Sequence, residues 1–301
     1  MAPDDWLAIL YLLGRPEVEV RAITVTGAGE AHCAPGVRHA LDLVALAGQP
    51  DIPVTCGRET PLRGDHVFPT SWRERVDNLL GLSLPENPHT PANESAVELL
   101  QRTVRESPRP VHVLALGPLT NLAEALETEP SLADKVQGIT VMGGAVHAPG
   151  NVGPSSDIDN DVAEWNLYVD PHAAAIVLRS GAPVTLVPLD ATNHAPLTMD
   201  FYRRIRRDHK TPVARFAYQV LTQVLDFIRG GEYYFWDPLA AAISVDGSLA
   251  EYEDQPLVVI EEEGPQSGRT TIHEDGHPTR VAVRADRARF EKLFLDALNG
   301  R

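Results

Sequence analysis

Three short segments, far apart in the chain, hold the residues best suited to chemistry. Near the start, Asp4 and Asp5 stand together at the mouth of an apolar helix, in Met1-Ala2-Pro3-Asp4-Asp5-Trp6. In the middle lies Glu164-Trp165-Asn166, and toward the C-terminus Tyr234-Phe235-Trp236-Asp237-Pro238. Carboxylates from separate segments are what a hard cation such as calcium needs, since it takes about six to eight oxygen ligands. Each segment also has a plain structural reading. Asp4-Asp5 suits a helix N-terminus, where carboxylates accept backbone N–H bonds and offset the helix dipole. Trp236-Asp237-Pro238 suits a helix start, with Asp237 as cap and Pro238 at the first helical position. Glu164 to Asn166 suits a loop before a helix, with Trp165 in the core.

The elements that must position these residues read as strands alternating with helices. Leu7 to Leu13 is an apolar helix stopped by Gly14 and Pro16. Val18–Thr26, Asp51–Thr55, Val111–Leu116, Gly138–Met142 and Val184–Leu189 read as strands, as do Leu257–Glu261 and Thr279–Val283. Ala40–Ala47, Leu119–Leu126, Asp170–Arg179 and Ala285–Leu298 read as helices, and a polar, helical stretch runs from about 199 to 230. Residues 58–94, dense in Pro, Gly and polar side chains, read as a long surface loop. The alternation implies an α/β fold with a mainly parallel sheet flanked by helices, in which sites form at the carboxyl ends of strands. At 301 residues the chain is expected to form a single domain spanning 1–301.

Composition narrows the function. A net charge of −16 leaves no basic excess to neutralise phosphates, which argues against nucleic acid and anionic membranes as partners. Cys33 and Cys56 are the only cysteines, so neither a disulfide framework nor a four-thiolate zinc site is expected. The apolar runs are of helix-core length and no basic leader precedes one, so a cytoplasmic location is the expectation.

Taken in order, the three segments resemble the inosine-uridine nucleoside hydrolase family, calcium enzymes that cleave the N-glycosidic bond of ribonucleosides to free base and ribose. Further matches are Leu116-Gly117-Pro118-Leu119-Thr120-Asn121, Met142-Gly143-Gly144 and Gly150-Asn151. The resemblance implies a Rossmann-like core and a calcium ion held by Asp5, Asp237 and the backbone carbonyl of Leu116. It assigns Asp4, Glu164, Asn166 and Met142 to the ribose pocket. Asn151 would reach the 5′-hydroxyl, with Asn160 as the alternative. Many members have His before the distal Asp, as acid for the leaving base; here it is Trp236. That substitution, with Trp165 and Glu30, resembles the purine-preferring subgroup, whose aromatic residues stack on the base. Asp4, Asp237 and Trp236 would then carry the catalysis. Trp72 is either a second stacking ring or a local packing anchor. A dimer or tetramer is implied as well.

The family motif D-x-D-x-x-x-D-D begins upstream of Met1, so the domain is expected to lack a first strand and two aspartates, one of them the general base. The resemblance then implies weak activity and weak calcium binding. Glu30 would be the nearest substitute base if those aspartates proved dispensable. An inactive nucleoside-binding relative is one alternative reading. A dinucleotide-dependent oxidoreductase is another, resting on Gly27-Ala28-Gly29 after a strand, although His32 stands where the third glycine of that fingerprint belongs. Asp157-Ile158-Asp159-Asn160-Asp161 lacks the Gly and Glu of an EF-hand loop.

Overall fold

The computed structural model describes residues 1–301. The chain runs α1 (Pro3–Leu13), β1 (Ile23–Val25), α2 (Cys33–Leu46), β2 (Val54–Cys56), α3 (Thr70–Asp77), α4 (Ala96–Glu106), β3 (Val111–Ala115), α5 (Thr120–Thr128) and β4 (Val136–Met142). Next come α6 (Trp165–Val169), α7 (Pro171–Arg179), β5 (Val184–Val187), α8 (Leu189–Thr192), α9 (Met199–Arg207), α10 (Pro212–Gln223) and α11 (Leu225–Gly230). The last elements are α12 (Trp236–Val245), β6 (Ala250–Val259), β7 (Thr270–Ile272), β8 (His277–Ala285) and α13 (Arg287–Leu298).

A six-stranded sheet has the order β3-β4-β5-β8-β6-β7. From β3 to β8 the neighbours are parallel, with registers such as Leu114 to Thr140 and Val141 to Leu186. β6 runs antiparallel to both β8 and β7. The sheet is therefore mainly parallel and flanked by helices, as the alternation predicts. β1 and β2 pair in parallel as a separate two-stranded sheet. Only Ile23–Val25 of the β-branched run forms a strand. β1 and β3 line one large cavity without pairing to each other.

Two expectations need correction. Residues 58–94 are not one loop, because α3 and a 3-10 turn at Leu79–Gly81 lie within them. Val76 and Leu79 are buried in the main core, and that apolar pair holds the segment helical amid its polar neighbours. α4 opens on a capping box: the Ser95 Oγ accepts from the Glu98 N–H at 3.2 Å, and the Glu98 carboxylate accepts from the Ser95 N–H at 2.8 Å. The second correction concerns the cysteines, since Cys33 and Cys56 form a disulfide with Cα atoms 5.6 Å apart. Sequence spacing does not reveal that the N-terminus of α2 meets the end of β2.

α1 is almost wholly buried, with Trp6, Leu10 and Tyr11 fully covered, and it packs along α12. α12 is equally apolar over Leu239 to Ala242. Two helices without a polar face have to pack inside the core, and this pair brings its N-terminal turns together. Phe235, immediately before α12, fixes that helix from the other side. Its ring lies 4.9 Å from Phe201, 5.0 Å from Phe290 and 5.5 Å from Phe294. Phe235→Ala is expected to lower stability by about 3–5 kcal/mol in urea unfolding. A loss below about 1 kcal/mol would show that this cluster does not anchor α12.

Candidate active site

The helix pairing forces three carboxylates together. One oxygen each from Asp4, Asp5 and Asp237 lie within 4.8 Å of one another. Ala2 caps α1, so Asp4 and Asp5 fall in its first turn, where the Asp5 carboxylate also accepts the Ala2 N–H at 2.6 Å. The capping reading and the clustering reading of this pair therefore both hold. Asp237 is not the cap of α12: Phe235 takes that place, and Asp237 is the second helical residue, only 2% exposed.

Burial dominates the electrostatics. Burial and the neighbouring Asp5 push the Asp4 carboxyl up to about 7. Asp237 is raised well above the usual carboxylate range by burial, then by Asp4 and Asp5. Burial raises Asp5 as well. Glu30, facing the same cluster, is pushed up to about 8 by burial and by Asp4. Without a cation Glu30 holds its proton at neutral pH, which fits a hydrogen-bond donor and argues against a substitute base.

The second wall comes from the segment after β4 and from α6. Glu164 caps α6 and accepts N–H bonds from Asn166 at 2.9 Å, Gly144 at 3.0 Å and Leu167 at 3.3 Å. Burial raises it to about 7 despite those donors. The Asn166 amide donates to the carbonyls of Leu116 at 3.0 Å and Met142 at 3.2 Å. It thus holds the Leu116 oxygen at the cavity wall. Of the two asparagines, Asn160 is consumed structurally. Its amide donates to Ser267 at 2.8 Å, and its oxygen accepts from Val162 and Ala163. The Asn151 oxygen accepts the Trp165 N–H at 3.2 Å. Its NH2 group has no protein partner, and the residue lines the cavity.

Aromatic rings complete the cavity, about 1590 Å³ in volume including the part between β1 and β3. Trp165 stacks on Phe68 at 5.1 Å, meets Trp72 at 5.4 Å and donates its indole N–H to Ser155 at 2.9 Å. Trp72 therefore packs on Trp165 and also lines the cavity. Trp236, half-buried, lies edge-on to Tyr233 at 5.1 Å and tilted against Tyr234 at 5.7 Å. Of the residues singled out from the sequence, all but Asn160 line this one cavity: Asp4, Asp5, Glu30, Trp72, Leu116, Met142, Asn151, Glu164, Trp165, Asn166, Trp236 and Asp237.

Sequence reasoning missed Tyr233, buried among the acids with its phenol raised by burial and then by Asp4 and Glu30. The aromatic run Tyr233–Trp236, directly before Asp237, was the available signal. The glycines of the dinucleotide-like turn have another use. A Cβ on Gly27 would meet the Cys33 sulfur at 2.7 Å and the Arg58 carbonyl at 2.8 Å. That glycine serves chain packing, not the approach of a pyrophosphate.

The profile of the family described as inosine-uridine preferring nucleoside hydrolase matches residues 1–292. The chain belongs to this family. It is 33% identical to the pyrimidine-specific ribonucleoside hydrolase RihA of Escherichia coli O8 (strain IAI1), over 98% of this chain and 94% of that protein. A solved purine-preferring ribonucleoside hydrolase from Gardnerella vaginalis is similar with a TM-score of 0.84 and 33% identity, covering 99% of this chain and 96% of that one. A plant nucleoside hydrolase superposes with a TM-score of 0.89 and 29% identity, over 100% and 96% of the two chains. A nucleoside hydrolase is a glycosidase acting on ribonucleosides, and a deep cavity with acids at its floor and rings at its walls suits that substrate.

The raised carboxyls set the pH response of the cation-free protein. A carboxyl with a higher pKa folded than unfolded binds more protons in the native state, so stability falls as pH rises toward the folded value. For Glu30 and Glu164 that fall continues to about 8 and about 7. Burial holds His39 down to about 4, which opposes this trend only below its ordinary 6.5. In chelator, the melting temperature is therefore expected to drop between pH 6.5 and 8. A melting temperature that rises across that window in a thermal scan would contradict the burial of these acids.

Proposed function

We propose that the protein hydrolyses the N-glycosidic bond of purine ribonucleosides, with calcium as its cation. The observation that carries this reading is the carboxylate cluster at the floor of an aromatic-walled cavity. The donors fit a hard cation: all are oxygens, they come from two helices, and they repel one another while buried. Asp5, Asp237 and the Leu116 carbonyl would hold the ion, which would supply Lewis acidity to a water at neutral pH. The protein's own groups do the rest. Asp4, Glu164 and Asn166 would hold the ribose hydroxyls, and Asn151 the 5′-hydroxyl. In the reaction a water oxygen bonds to C1′ and the water loses a proton, while the C1′–N bond breaks with its electron pair moving to the base, which gains a proton. Glu30, pushed up to about 8 by burial and by Asp4 in the cation-free protein, would line the same pocket. Trp236 and Trp165 would stack on the purine and favour its departure in protonated form.

The E. coli relative is described as pyrimidine-specific, so the purine preference rests on the rings and on the likeness to the Gardnerella enzyme.

Trp236→Ala tests the base site in a base-release assay with calcium. Stacking worth about 1–3 kcal/mol implies a fall of about 5–150-fold in kcat/KM for inosine, with little change in melting temperature. Uridine emerging as the better substrate of the intact protein would overturn the purine reading.

A further inference from the structure

Asp190 lies outside every motif that pointed to the site, yet it is buried, 9% exposed, on the short α8 that follows β5. Its carboxylate faces no cationic side chain in the structure's ion pairs. It accepts three consecutive backbone N–H groups instead. Val146 donates at 2.9 Å to one oxygen, while His147 at 2.7 Å and Ala148 at 3.1 Å share the other. Successive amides converging on one anion form a nest, a concave donor array usually filled by an anionic ligand. Here a side chain from the next strand's loop fills it.

The loop so held connects Met142-Gly143-Gly144 to Gly150-Asn151, both at the cavity wall. Its two ends have their own ties. At the near end the Leu189 N–H donates to the Gly144 carbonyl at 2.9 Å, and Glu164 accepts from Gly144. At the far end Gly150 donates to Asp161 at 2.7 Å, and Asn151 to Ala163 at 3.0 Å. Between those ends, Asp190 is the only side chain that accepts the loop's amides. Asn151 presents its free NH2 immediately beyond the held stretch.

We propose that Asp190 is a positioning residue: by gathering the amides of residues 146–148 it fixes the approach of Asn151 to the substrate's 5′-hydroxyl. This rests on the nucleoside-hydrolase reading above. A carboxylate suits the task because one charged group satisfies three donors that would otherwise be left to water, and bonds to an ionised acceptor are the stronger kind. Val146 is half-buried, so water cannot replace all three bonds with the same geometry.

The test compares inosine with 5′-deoxyinosine, using intact protein and the Asp190→Asn and Asp190→Ala variants. Loss of Asn151 alignment should lower kcat/KM for inosine by about tenfold more than for 5′-deoxyinosine, mainly through KM. Asp190→Asn, which keeps one acceptor oxygen, should lie between Asp190→Ala and the intact protein, and it serves if the alanine variant folds poorly. Hydrogen exchange supplies a readout independent of turnover. In both variants the amides of 146–148 and also of Gly150 and Asn151 should exchange faster. Equal losses on the two nucleosides would overturn the proposal, and so would faster exchange confined to 146–148. Failure of the intact protein to cleave either nucleoside would instead count against the hydrolase reading, and the exchange pattern at 150–151 would still decide the role of Asp190.

Discussion

Three carboxylates held within 4.8 Å of one another set the terms for the rest of the molecule. Two unit charges 4 Å apart repel by about 4 kcal/mol even at the effective dielectric of a protein surface. The Ala2 N–H and the N-terminal ammonium offset only part of this. Both helices are apolar along their lengths, and their burial forces Asp4 and Asp5 of one against Asp237 of the other. Burial first, and this repulsion second, makes the acids take up protons, which is why Asp4 and Asp237 lie above the carboxylate range. A cation would reverse that response and recover the ionised forms. The core thus holds a charge arrangement that becomes favourable only with a positively charged partner.

The surrounding walls follow the same logic of buried polar groups with few alternatives. Glu164 is held by three backbone donors, and Asn166 spans two carbonyls from neighbouring strand ends. β3 and β4 are adjacent and parallel, so Leu116 and Met142 emerge side by side and one asparagine amide reaches both. The parallel sheet is therefore what converts scattered motifs into one wall. The Cys33–Cys56 bond acts similarly on the other side, tying the start of α2 to the end of β2 behind the turn that carries Glu30.

Much of this was legible in the sequence, and the exceptions are instructive. Strand–helix alternation gave the sheet, and the order of Asp4-Asp5, Glu164-Trp165-Asn166 and Trp236-Asp237 gave one site, because the α1–α12 pairing and the parallel ends of β3 and β4 face one cavity. That the Asn160 amide turns to Ser267 could be read only from the structure. α3 was hidden because Val76, with Leu79 just beyond, is its one buried apolar residue, and its other buried side chain is Arg73. Tyr233 and Asp190 were hidden for a different reason. Each acts through what it faces across the fold, and no local spacing records that. The cysteine pair was hidden likewise, its partners being 23 residues apart with the pairing set by tertiary contact.

The central claim is that this acid cluster is a cation site. Terbium, a hard oxygen-seeking ion that stands in for calcium, reads it directly, because Trp236 beside Asp237 can sensitise its luminescence. The account predicts one terbium per chain, emission excited through the tryptophan band, displacement by calcium, and loss of the signal in Asp237→Asn. Emission and stoichiometry unchanged in Asp237→Asn, or no sensitised emission from the intact protein, would contradict it.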